Sequence, residues 1–249
     1  MTPAARKYEE LTTEAVGGEV RHAALFLPVG AVEQHGPHLP LDVDVLIPTR
    51  LCAAVAGRVG GFVCPAIPYG ARSLPHSGGG PSFPGTIHVR GTTLIEYAQD
   101  VIAAFAGTGA AKIVVVNGHY ENEAFLFEAV ERCREQGRLL EAKVTALSWW
   151  SLIADEVVSE LFGTAFPGWH AEHAGLCETS LQMFLAPETV GAMRVDNPSP
   201  PSAGIYHHPW DAAANSCRGV LGASSGASLA HGERLFEHAA ERLADLVTA

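Results

Sequence analysis

Lys112-Ile113-Val114-Val115-Val116, followed at once by Asn117-Gly118-His119-Tyr120-Glu121-Asn122, is the stretch whose reading decides the fold. A β-branched run without alternation reads as a strand buried on both faces. Asn122 to Gln136 has helical apolar spacing and ends at Gly137, and Lys143 to Leu147 reads as the next strand. The same alternation runs back toward the N-terminus. His22 to Val29 is a short apolar strand ending at Gly30. Val45 to Val59 is helical through Leu46, Leu51, Val55 and Val59, and stops at Gly60-Gly61. Phe62 to Ile67 is a strand, and Thr92 to Ala106 a helix with Thr92 or Thr93 as N-cap. Toward the C-terminus, Leu176 to Leu185 and Ser228 to Val247 read as helices, with a Pro-rich loop at Asn197 to Ser202 between them. Only about 45 residues follow that loop, small for an independent core, so one domain over residues 1–249 is expected. Alternating strands and helices imply an α/β fold with a largely parallel sheet and helices on both faces.

Composition narrows the class. The chain has 249 residues, 47% hydrophobic and 17% charged, too apolar for a disordered protein. Asp and Glu number 27 against 16 Lys and Arg, a net charge of −11, so neither nucleic acid nor an anionic membrane is an expected partner. Glu9, Glu10 and Glu14 interrupt the first segment, and no window reaches the ~18 apolar residues of a membrane span, so a soluble cytoplasmic protein is expected. The five cysteines are scattered and form no C-x-x-C pair, which argues for buried small hydrophobes rather than a disulfide framework or thiolate zinc site. Ser77-Gly78-Gly79-Gly80 reads as a flexible run lacking the lysine of a P-loop, and there is no G-x-S-x-G elbow. The 12 histidines, beside 16 Lys and Arg, point to proton or metal chemistry.

Three segments carry that chemistry. After the first strand, Glu33, His35, His38, Asp42 and Asp44 crowd one stretch, with Glu33 and His35 two residues apart and Gly36-Pro37 turning the chain. His119 and Glu121 repeat that spacing after the Lys112–Val116 strand. Glu33, His35, Asp44, His119 and Glu121 together suit two divalent cations, zinc or manganese among them, with one carboxylate as bridge. The same residues also admit a plainer reading, with Asp44 as a helix N-cap and Asn117 or Asn122 capping the next helix. The third segment is Pro167 to Thr179. Trp169 beside a Gly-Pro hinge suits a lid, His173 a proton donor, and Glu178 either a first-turn helix acid or a group that orients a ligand.

The strings LPVGAVEQHGPHLPLDVD (27–44), VVNGHYEN (115–122) and HAGLCETS (173–180) resemble the creatininase (creatinine amidohydrolase) family over nearly the whole chain. Many relatives carry Gly-His-Gly-Gly-Asn at the second motif. Gly118-His119-Tyr120-Glu121-Asn122 is instead similar to the creatininases proper, as are Ser148-Trp149-Trp150, Ser77 and Gly168-Trp169. The resemblance implies a three-layer α/β/α sandwich, a dinuclear site and a homohexamer. It implies one ion on Glu33, Asp44 and His119 and a second on His35, Asp44 and Glu121, with Asp44 bridging. Ser77, Tyr120 and Trp169 would contact substrate, Trp150 would line the pocket, and His173 would relay protons. His170 stands where the creatinine enzymes carry an acidic residue.

The reaction expected from this set is hydrolysis of creatinine to creatine by metal-bound hydroxide, with His173 donating a proton to the leaving ring nitrogen. The alternatives are the same chemistry on another small amide, formamide or lactam, and a non-catalytic metal-binding assembly protein.

Overall fold

The computed structural model of the chain describes residues 5–78, 80–206, 208–209 and 216–249. Its sheet has five strands: β1 (Arg6–Lys7), β2 (Ala24–Val29), β3 (Phe62–Val63), β4 (Lys112–Asn117) and β5 (Lys143–Ser148). They pair in the order β1-β3-β2-β4-β5, parallel throughout. Among the described residues the α-helices are α1 (Thr13–Glu19), α2 (Val43–Val59), α3 (Gly91–Gly107), α4 (Glu123–Glu135), α5 (Asp155–Phe162), α6 (Leu176–Leu185) and α7 (Leu229–Thr248).

Alternate residues of the central strands feed two cores, as a sheet covered on both faces requires. Phe26, Val114 and Val116 point to one face and pack with Leu51 and Val55 of α2, Leu181 of α6 and Leu243 of α7. Leu25, Leu27, Ile113 and Val115 point to the other and pack with Leu94 and Ile102 of α3 and Leu126 of α4. The result is the expected three-layer α/β/α sandwich.

Several boundaries differ from the sequence reading. Strand β3 ends at Val63 rather than Ile67, because Pro65 has no N–H for a ladder; Ile67 rejoins only through a single bridge to Val29. Helix α3 starts at Gly91, so neither Thr92 nor Thr93 caps it, and the cap position falls to Arg90. Helix α2 starts at Val43 with Asp42 at the cap position, which frees the Asp44 carboxylate from a capping role. Asn122 precedes α4 without a side-chain capping bond. Strand β1, both of whose residues are exposed, and the short helices α1 and α5 were not expected. Among the described residues, no helix is long and apolar enough to cross a membrane. Cys52, Cys64, Cys133 and Cys177 are buried and free, and burial pushes the Cys64 thiol up to about 12, so these are packing residues.

The strand register places the chemistry. Val29 pairs with Asn117, and Asn117 with Ser148, so three adjacent strands end level. Gly30, Gly118 and Trp149 therefore leave the sheet side by side at its carboxyl edge, where open α/β sheets bind ligands.

Candidate metal centre

Two glycines lower the start of α2 onto this edge. A Cβ on Gly30 would lie 2.3 Å from the Asp44 carbonyl oxygen, and one on Gly118 would lie 2.1 Å from the same atom. Only glycine admits that approach. It brings the buried Asp44 carboxylate between the segment that follows β2 and the segment that follows β4.

The predicted residues converge there. His119 Nδ1 lies 3.0 Å from Glu33 Oε2 and 3.0 Å from Asp44 Oδ2. His35 Nε2 lies 3.2 Å from Asp44 Oδ1 and 3.6 Å from Glu178 Oε2. The two Asp44 oxygens thus face different imidazoles. Despite this crowding, Glu33 Oε1, His35 Nε2 and Asp44 Oδ2 are buried without a hydrogen-bond partner. Donors that share one ion at about 2.0–2.1 Å sit roughly 3.3 Å apart without pointing at one another. Glu33, Asp44 and His119 form one group of this kind, and His35, Asp44 and Glu178 another. The donor set, carboxylate and imidazole, fits a divalent cation such as zinc or manganese.

Glu121 and Glu178 are placed differently from the simplest expectation. Glu121 Oε2 lies 3.3 Å from the other nitrogen of His119, Nε2, while its Oε1 accepts from the Leu74 N–H at 2.7 Å and from the Ser77 hydroxyl. Glu178 approaches the open nitrogen of His35 rather than the back of the ring. The ring's Nδ1 is already 3.1 Å from the Glu33 carbonyl, which fixes the tautomer from within the same segment.

The electrostatics follow from burying two imidazoles and two carboxylates together. Burial opposes charge on His35 and His119, but the neighbouring carboxylates outweigh it and hold both imidazoles well above their ordinary range. Burial pushes Glu33 up to about 7, whereas the neighbouring His35 and His119 imidazoles outweigh burial at Asp44 and hold it low. Burial, reinforced by the His35 charge, drives His173 well below the imidazole range.

Ser77, Tyr120, Trp150, Trp169, His170 and His173 all line the cavity over this cluster. Trp150 stacks at 6.1 Å on Tyr120, which is half exposed, and the buried Trp149 meets Trp150 and Trp169 edge-on at 5.7 and 5.6 Å. Trp169 follows Gly168, whose φ of 98° favours glycine at the hinge. His170 Nε2 lies 3.0 Å from the Pro201 carbonyl, which ties that ring to the Pro-rich loop.

The glycine run is a correction: Gly78 is buried, and a Cβ there would meet Glu33 Oε1 at 2.0 Å, so it is a packing contact rather than a flexible tether. Gly79 lies outside the described residues. Two residues went unassigned in the sequence reading. Glu172 accepts from the Cys177 and Glu178 N–H groups at the start of α6, and burial with the Glu178 charge pushes it up to about 8. Gln34 touches His173 and was hidden between two more conspicuous residues, Glu33 and His35.

A parallel sheet whose carboxyl edge gathers buried carboxylates and imidazoles around a common point defines a metal-dependent α/β hydrolase. Residues 9–247 match the family model described as creatininase, creatinine amidohydrolase. The chain is 40% identical over 228 residues to the creatinine amidohydrolase of Pseudomonas putida, covering 90% of this chain and 88% of that protein. It superposes with a TM-score of 0.91 at 38% identity on a Glu-to-Gln mutant creatininase complexed with creatine, covering 98% of this chain and 97% of the other. It superposes equally on a manganese creatininase, with a TM-score of 0.90, 38% identity and coverage of 98% and 97%. The chain belongs to the creatininase family and is an amidohydrolase that acts on C–N bonds.

Proposed function

We propose that the protein hydrolyses creatinine to creatine with two divalent ions, zinc or manganese. The observation that carries this reading is Asp44: its two oxygens lie 3.2 and 3.0 Å from different imidazoles, the arrangement a bridging carboxylate needs. One ion would be held by Glu33, Asp44 and His119. The other would be held by His35, Asp44 and Glu178, whose donor atoms lie together, while Glu121, expected in this set from the sequence, faces His119 Nε2 instead. Bound there, the ions would acidify water and polarise a carbonyl.

The chain's own groups do the rest. The stacked Tyr120 and Trp150, with Trp169 across from them, offer flat walls to a planar ring. Trp169 follows Gly168, whose positive φ suits a hinge, so a swing of this segment would open or close the cavity over the cluster. Glu121 is oriented by the Leu74 N–H and the Ser77 hydroxyl to take a proton from the attacking water. The water oxygen adds to the ring carbonyl carbon, the C–N bond breaks, and a proton reaches the leaving ring nitrogen, which His173 serves. The test is metal-loaded protein with creatinine, scored for creatine. A metal-loaded chain that makes no creatine refutes the substrate assignment.

A second reading keeps the chemistry and changes the amide. It is favoured by His170, and by an adjoining cavity of about 510 Å3 that shares Ser77, Tyr120 and Glu121 and is flanked by Arg72 and Arg90. Turnover of a larger or anionic amide in preference to creatinine would select it. A hexamer is the proposed assembly, on the resemblance to the creatininases alone; light scattering of the purified protein tests it.

A further inference from the structure

We propose that Gln34 is a positioning residue that fixes the tautomer of His173, holding the Nε2 lone pair and leaving the ring's proton on Nδ1. This deepens the proposed function and rests on it only for its kinetic consequence.

The orientation of the Gln34 amide is set by its neighbours. Gln34 is buried, and its Oε1 accepts from the Gly36 N–H at 2.9 Å. Its Nε2 lies 2.8 Å from the Gly78 carbonyl, 2.9 Å from the Gly219 carbonyl and 2.8 Å from His173 Nε2. Exchanging the two amide atoms would set an oxygen against two carbonyl oxygens and an NH2 group against an N–H. The hydrogen-bond pattern therefore settles which atom is nitrogen.

An amide nitrogen has two hydrogens and no lone pair to offer. Everything it touches must accept, including His173 Nε2, and its two hydrogens are shared among three acceptors. A hydrogen on His173 Nε2 would point at another donor. The neutral ring therefore carries its proton on Nδ1.

The surroundings hold the amide in place. A Cβ on Gly219, whose φ is +91°, would meet Gln34 Oε1 at 2.0 Å, and Gly78 is equally confined against Glu33. The Leu221 N–H donates to the His173 carbonyl at 3.1 Å, so the same turn that carries Gly219 also holds the His173 backbone.

The chemical consequence is specific. With Nε2 closed by the amide, His173 has a single N–H, on Nδ1, and no second lone pair. It acts as a hydrogen-bond donor toward substrate and keeps its own proton. The proton that ends on the leaving nitrogen is the one Glu121 takes from water, so the step balances without net transfer through His173.

The test is neutron diffraction from deuterium-exchanged crystals of the zinc-loaded protein. Deuterium on His173 Nδ1 and none on Nε2 is expected, and deuterium on Nε2 overturns the proposal. This outcome is read without substrate, so it stands apart from whether creatinine is turned over. Kinetics supply the second arm. Gln34→Glu replaces the donor by an acceptor and calls for the opposite tautomer. At equal metal content it is expected to lower kcat roughly tenfold or more, with KM within about twofold. Adding His173→Asn to it should cost little further, because both changes remove one function. Fully additive losses would show that Gln34 does not act through His173.

Discussion

Replacing Gly118 by alanine tests whether the glycine contacts at the sheet edge build the site. The new Cβ would lie 2.1 Å from the Asp44 carbonyl oxygen and 2.9 Å from two ring carbons of Pro48, both on α2. Side-chain carbons do not come within 3.0 Å of such atoms, so the first turn of α2 must retreat by about 0.9 Å. Asp44 moves with it and loses the 3.0 and 3.2 Å spacings that join it to His119 and His35. A misplacement of about 1 Å at a reacting centre costs roughly 10²-fold in rate. Overpacking of this kind costs about 1–3 kcal/mol, a fall in Tm of roughly 5 °C for a chain of this size. The assay is threefold: metal per chain by elemental analysis after dialysis, thermal melting, and kcat/KM on creatinine. Gly17→Ala serves as the control, because nothing lies within 4 Å of its Cβ position in helix α1. That change should stabilise by about 0.5–1 kcal/mol and leave activity untouched. Should Gly118→Ala keep its metal and kcat/KM within twofold of the parent, the glycine contact does not set the centre.

Three further outcomes are expected. Glu121→Gln and Glu178→Gln separate the two carboxylates: the first should cost about 10²–10⁴-fold in kcat, the second mainly metal affinity, by roughly 10–100-fold; equal effects on both readouts would refute the division. Metal uptake at pH 7 should release protons, because neighbouring carboxylates hold His35 and His119 well above the ordinary imidazole value while a metal requires the neutral ring. Affinity therefore weakens as pH falls, and calorimetry in buffers of different ionisation heat should show a slope; a flat response refutes it. Glu172 is raised from 4.5 to about 8, so the folded chain binds more protons than the unfolded one, and stability from this group is full below pH 4.5 and lost as pH rises toward 8. Glu172→Gln should gain on the parent in Tm across that window, and a constant difference between the two would contradict the assignment.

The strands and helices were legible where the pattern is local. Lys112–Val116, Leu176–Leu185 and the helix read from Val45 announce themselves because burial on one or both faces imposes a run or a period on neighbouring residues. Strand β1 was not legible, since two exposed residues carry no pattern. The chemical residue types were legible too: Glu33, His35, Asp44, His119 and Glu121 are conspicuous wherever the chain folds.

What the sequence by itself determined is therefore the layer architecture and the donor inventory. Tertiary structure alone decided how the donors are shared. It divided the Asp44 oxygens between His119 and His35, turned Glu121 toward Ser77, brought Glu178 to the open nitrogen of His35, and set the Gln34 amide against His173. The physical reason is range. Periodicity records which face a residue shows to its own element. The meeting of side chains from separate segments depends on strands β2, β4 and β5 ending level, and on Gly30, Gly78 and Gly118 allowing backbone and carboxylate to approach where any side chain would hold them apart.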